Sequence, residues 1–138
     1  MSFMNYQIKA SSISNQDAVV HIKESNIDFG TTPNTAEILP NPAELLLGSF
    51  AACILKNVER FSGMMNFSFT KATLEVNATR LENPPRMDNI VYNLTIYSND
   101  KRLNTDLLKK NLEKFGTIYN TLKLSCTILG TIDIIEHV

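Results

Sequence analysis

At 138 residues, with 43% hydrophobic and 20% charged side chains, the chain has the size and mix of one compact globular domain over residues 1–138, with no linker. A formal charge of −1, with no Lys/Arg run longer than Lys109-Lys110, excludes the electrostatic footprint of a nucleic-acid binder. The longest uncharged apolar run, residues 45–55, is too short to span a bilayer, the N-terminus lacks a signal-peptide core, and two cysteines in so apolar a chain need not form a disulfide framework, so the expected location is the cytoplasm.

In residues 4–30, short apolar runs (Tyr6 and Ile8; Ala18 to Ile22; Ile27 and Phe29) alternate with the polar stretches S-S-I-S-N-Q-D and E-S-N, which predicts small antiparallel strands joined by turns. A proline-bounded loop leads to Asn41, a good helix N-cap, with Pro42 at the first helical position and Glu44 placed to return a bond to the cap. The helix is expected to run to about Ser62, where Ser-Gly stops it. Residues 67–80 and 89–98 alternate with period two, Ala72, Leu74, Val76 and Ala78 in the first and Ile90, Tyr92, Leu94 and Ile96 in the second, and form a hairpin around E-N-P-P-R-M-D. From Thr105 the spacing of Leu107, Leu108, Leu112 and Phe115 is helical, extending through Ile118, Tyr119 and Leu122 with Gly116 weakening the middle. A last strand over residues 127–136 puts Ile128, Ile132 and Ile134 on one face. The order of strands, long helix, two long strands, helix and strand is an α+β layout.

The long helix raises the functional question, because it carries a thiol. At about 100° per residue, Leu47, Phe50, Ala51, Ile54, Val58 and Phe61 form one apolar stripe suited to a sheet. Cys53 falls on another, with Leu46, Ser49, Lys56, Asn57 and Arg60. Leu45, Leu46 and Ala52 make the N-terminal half apolar nearly all round, so the second helix or a second subunit must cover the other side. A nucleophilic cysteine needs a cation, a base or a helix N-terminus nearby. Lys56 is the nearest local cation, and Asn57 can hydrogen-bond the sulfur. From local sequence alone the same residues more readily describe a small buried hydrophobe beside a solvated face. His21 and His137 lack metal-ligand spacing, and Arg86 in the hairpin loop is expected to face solvent.

The string N-P-A-E-L-L-L-G-S-F-A-A-C-I-L-K-N-V-E-R (41–60) resembles the central-helix signature of the OsmC/Ohr family, the osmotically inducible and organic hydroperoxide resistance proteins. N-P-P-R-M-D-N-I-V-Y-N-L-T-I (83–96) is similar to the family's hairpin, and I-Y-N-T-L (118–122) to the continuation of its second cysteine motif. The resemblance implies an α+β OsmC-like fold, antiparallel sheets wrapped around two central helices in an intertwined homodimer, with two sites at the interface. It also implies a peroxidatic Cys53 that attacks a small apolar hydroperoxide, becomes a sulfenic acid and is restored by a thiol reductant, with no metal or organic cofactor. Apolar neighbours such as Leu46 and Phe50 would favour an apolar substituent on the oxidant.

Three positions depart from the family pattern. Anchoring on I-Y-N-T-L puts Gly116 at the resolving cysteine's position and leaves Cys126 on the approach to the last strand. Ala43 stands where catalytic members have a glutamate, and Glu44, one step along, reads as a capping partner. No arginine precedes Arg60, whereas the hydroperoxide-resistance branch uses one near its N-terminus. Lys56 or Arg60 would have to substitute. The expected function is a one-cysteine reductase of organic hydroperoxides acting through Cys53. The alternative is a non-enzymatic dimer of the same fold whose cysteine is inert and which binds a small apolar ligand or is purely structural.

Overall fold

The computed structural model describes residues 3–136. The chain divides into two compact units, residues 1–45 and 46–138. His137 lies outside the described residues.

The first unit holds a three-stranded antiparallel sheet in the order β1 (Lys9–Ser12), β2 (Ala18–Ile22), β3 (Ser25–Phe29), followed by a single 3-10 turn at Pro33–Thr35. The first strand lies later than its apolar residues suggest. Tyr6 and Ile8 precede it and are exposed, while Lys9–Ser12, exposed throughout, pair with Ala18–His21 through the backbone ladder alone. Asp17 ties the turn before β2 to the segment after β3: its carboxylate accepts bonds from Thr35 Oγ1 (2.6 Å), Thr31 N (3.1 Å) and Thr32 Oγ1 (3.3 Å). These donors hold it below the ordinary carboxylate range, Thr35 foremost. Among the described residues of this unit, Ala18 is the buried apolar one.

Helix α1 spans Pro42–Met64. The capping box is formed as expected, with Glu44 N donating to Asn41 Oδ1 at 2.8 Å and Asn41 N to Glu44 Oε1 at 3.0 Å. Gly63 does not stop the helix. The end falls at Asn66, which takes a left-handed φ of 57° while Phe67 N returns to Ser62 O at 3.0 Å.

In the second unit β4 (Lys71–Leu81) and β5 (Arg86–Tyr97) form the expected antiparallel hairpin, and β6 (Ile128–Ile135) joins β5 in parallel. A parallel neighbour requires a crossover, and the crossover consists of α2 (Thr105–Phe115) and α3 (Thr117–Leu122). Gly116, extended at φ −75° and ψ 115°, separates the two, so the second helix breaks where glycine only weakened the pattern. The core is the α1 stripe of Phe50, Ile54, Val58 and Phe61 with Ile90, Tyr92, Leu94 and Ile96 of β5 and Leu108 and Leu112 of α2. Each of these side chains contributes about 1.5–3 kcal/mol by leaving water. On β6, Ile128 and Ile132 pack against this core, whereas Ile134, paired with Ile96, stays 40% exposed.

Candidate functional site

Cys53 is half-buried, on the flank of α1 next to its core stripe. Asn57, one turn on, donates from Nδ2 to the Cys53 carbonyl at 3.0 Å, and the same nitrogen lies 3.7 Å from Sγ. Lys56 and Arg60 point to solvent, and the Arg60 guanidinium sits over the Phe61 ring, 5.4 Å from its centroid. Phe50 is wholly buried between Tyr92 (5.9 Å between ring centroids) and Tyr119 (6.3 Å), which removes it from any ligand lining; Leu46 is 37% exposed and remains available.

What comes closest to the thiol is the corner between α2 and α3. A methyl group placed on Gly116 would lie 3.4 Å from Cys53 Sγ, 3.1 Å from Tyr119 Cβ and 2.8 Å from Leu112 O. The corner is fixed from both sides: Gly116 N donates to Leu112 O (3.1 Å), Asn120 N to Gly116 O (2.8 Å) and Asn120 Nδ2 to Lys114 O (2.9 Å). The asparagine of I-Y-N-T-L thus satisfies a carbonyl that the end of α2 would leave open. The position inferred for a resolving cysteine is beside Cys53, and a glycine occupies it.

Cys126 has other partners. Its Sγ donates to the Met87 carbonyl at 3.3 Å at the entry to β6, and burial, then the nearby charge of Asp88, pushes its thiol up. Asp88 accepts from Thr127 N (2.8 Å), Asn89 N (2.8 Å) and Thr127 Oγ1 (3.2 Å), so this turn belongs to the start of the last strand, as the sequence anchoring implied. Both cysteines are free thiols.

The remaining candidates have structural partners. Glu44 is engaged in the capping box. His21 Nδ1 lies 2.6 Å from Asn26 Oδ1, and Arg86, exposed, donates to the Pro84 carbonyl. Among the described residues no group of three or more His, Cys, Asp or Glu side chains is arranged to hold a metal ion. Among the described residues no helix is long and apolar enough to cross a membrane. A hollow of about 410 Å³ is lined by Ser68, Ser98, Asp100 and Arg102 among others. Its carboxylate is already committed, to Ser68 N at 2.8 Å and to Arg102 N, Nε and Nη2 at 2.9–3.1 Å.

One polar group near the site escaped the sequence reading. Tyr92 on β5 reaches from the sheet to α2, its hydroxyl donating to Glu113 Oε2 at 2.7 Å, and Lys109 Nζ is 3.0 Å from the same oxygen. Burial and the Glu113 carboxylate push the Tyr92 hydroxyl far above the ordinary phenol range; the same two causes raise Tyr119. The ring crosses β6 at Gly130, where a methyl group would lie 1.9 Å from Tyr92 Cζ. The available signal was the pairing of a lone tyrosine in the Ile/Leu face of one strand with a lone glycine in the apolar face of another, a pattern that marks close approach.

The OsmC-like protein family model matches residues 34–129. By sequence alone, no curated protein matches the chain. Among solved structures, the OsmC-like protein from Mycoplasma pneumoniae is 18% identical with a TM-score of 0.85, covering 96% of this chain and 98% of that one. An organic hydroperoxide resistance protein from Elizabethkingia anophelis is 12% identical with a TM-score of 0.71, covering 96% and 99%. The organic hydroperoxide resistance protein OhrB of Bacillus subtilis is 15% identical with a TM-score of 0.62, covering 94% and 98%. These likenesses establish the fold.

Proposed function

The chain belongs to the OsmC-like family, and on that premise we propose that it reduces organic hydroperoxides through Cys53 without a second protein thiol. The observation that carries this reading is the Gly116 corner. The residue aligned with a resolving cysteine comes within 3.4 Å of Cys53 Sγ, measured from where its Cβ would be, and offers no sulfur, while Cys126 is bonded to Met87.

In the chemistry proposed, the Cys53 thiolate attacks the terminal oxygen of a hydroperoxide. An S–O bond forms as the O–O bond breaks, the alkoxide takes up a proton and leaves as the alcohol, and Cys53 becomes a sulfenic acid. An external thiol condenses with it, releasing water and leaving a mixed disulfide; a second external thiol then displaces Cys53 and departs as the external disulfide. Neither step draws on a metal or organic cofactor.

The active form in this reading is a homodimer, and exposed apolar surface supports it. In the single chain Phe3, Met4, Tyr6, Ile8 and Ile13 are 59–83% exposed, and Leu46 and Leu55 of α1 are each 37% exposed. A small sheet with so little buried is marginal by itself. Sedimentation at micromolar concentration is expected to give a stable dimer, and a monomer would remove the interface site.

The second reading, a non-enzymatic dimer with an inert cysteine that binds a small apolar ligand or is purely structural, is favoured by Ala43 and by the absence of any arginine before Arg60. Consumption of cumene hydroperoxide with dithiothreitol as reductant separates the two. Activity that exceeds the rate with hydrogen peroxide and is lost in Cys53→Ser is the expected result; consumption unchanged by Cys53→Ser would transfer the function to the second reading.

A further inference from the structure

We propose that Glu113 is a positioning residue for Cys53, holding the Gly116 corner over the thiol by clamping α2 to the sheet through Tyr92. The contacts form a continuous path. Tyr92 is a core residue of β5, immobilised by its edge contact with Phe50 and by the space that Gly130 leaves for its ring. Its hydroxyl is 2.7 Å from Glu113, which lies in the last turn of α2. That turn ends at Gly116, bonded back to Leu112, and Gly116 abuts Cys53 Sγ. The carboxylate also faces Lys109 at 3.0 Å and is close enough to Tyr119, the α3 residue stacked on Phe50, to disfavour its phenolate. One side chain thereby links β5, α2 and α3 at the base of the corner that abuts the thiol. A surface ion pair with Lys109 alone would add little. A bond from a buried hydroxyl to a charged acceptor is stronger and directional, and its loss strands the hydroxyl in the core.

The bearing of this clamp on turnover rests on the reading of Cys53 given above; its effect on the thiol does not. The experiment therefore reads Cys53 directly, as its rate of alkylation by iodoacetamide followed by peptide mass spectrometry on the full-length chain. Releasing the clamp lets the corner open locally, and both Glu113→Ala and Tyr92→Phe are expected to raise the rate about fivefold. Tyr92→Phe keeps the ring, so it tests the bond without opening a cavity. Glu113→Gln retains an acceptor for the hydroxyl and is expected to restore the wild-type rate. Phe67→Leu, which destabilises the core where the ring packs on Phe69, is expected to leave the rate unchanged. Wild-type rates in either Glu113→Ala or Tyr92→Phe, no rescue by Glu113→Gln, or an equal rise in Phe67→Leu would each overturn the proposal. Hydroperoxide consumption insensitive to Cys53→Ser would remove the peroxidase reading and leave these alkylation outcomes to decide the role of Glu113.

Discussion

At Gly130 the requirement is for space, since its φ is not in the left-handed region and the Tyr92 ring fills the place of a side chain. Ordinary overpacking costs about 1–3 kcal/mol, and a ring atom at bonding distance places Gly130→Ala at about 3 kcal/mol or more. Urea unfolding should show that loss, and the double variant with Tyr92→Ala should lose less than the sum of the two single losses, because residues in direct contact couple by about 0.5–3 kcal/mol. Gly116 gives a different prediction. A sulfur added there lies within reach of Cys53, so Gly116→Cys should form a disulfide with Cys53 on mild oxidation, seen as a linked peptide pair in the monomer. Leu112 O at 2.8 Å means that the corner must first give, and the reduced variant should be less stable than the wild type. Neither contact could be read from the chain, because each depends on which backbone passes behind the glycine.

Helix α1 shows how much of an element the sequence displays. Its start was legible because capping is local chemistry among Asn41, Pro42 and Glu44, and Asn41→Ala should lower stability by about 1 kcal/mol in a thermal melt. The stripe was legible too, since Phe50, Ile54, Val58 and Phe61 repeat at the helical period and are the buried residues. Its end was not, because Gly63 tolerates helical dihedrals and Asn66 reverses the chain two residues later than Met64. Strand β1 escaped for another reason: an edge strand held by backbone bonds has no apolar face to betray it. At the candidate site, the approach of Gly116 to Cys53 and the separate lodging of Cys126 were legible through motif anchoring. The Tyr92–Glu113 bond was hidden because it joins residues 21 apart across two elements.

For the molecule as a whole, three carboxylates set its response to acid. Asp17 is held below the ordinary range chiefly by Thr35, Asp88 by the Thr127 N–H and Asp100 by the Arg102 side chain. Because each folded form binds its proton less readily than an unfolded aspartate, at about 3.9, their contribution is complete above that pH and is lost as pH falls through the folded values. Urea midpoints should therefore be level between pH 6 and 5 and drop below about pH 4. Asp88→Asn, which keeps an acceptor oxygen but removes one of these titrating carboxylates, should flatten the drop. At the alkaline end the raised Cys126 thiol acts in the opposite sense, its contribution fading once unfolded chains ionise above about pH 8.5.

The parallel pairing of β5 with β6 also fixes an order of events as the chain folds. The β4–β5 hairpin can form from neighbouring residues, but the crossover through α2 and α3 is anchored at its far end only when β6 docks along Ile90–Tyr97. Closing that long loop comes late and slowly, as non-local strand pairing does. The Gly116 corner beside Cys53 lies on the crossover and the Tyr92–Glu113 bond spans it, so both are fixed only after the last strand has found its register. Until then Cys53 lacks the corner that stands beside it in the finished protein, so its sulfur meets solvent and oxidants during synthesis and refolding without the neighbours that shape its reactivity afterwards.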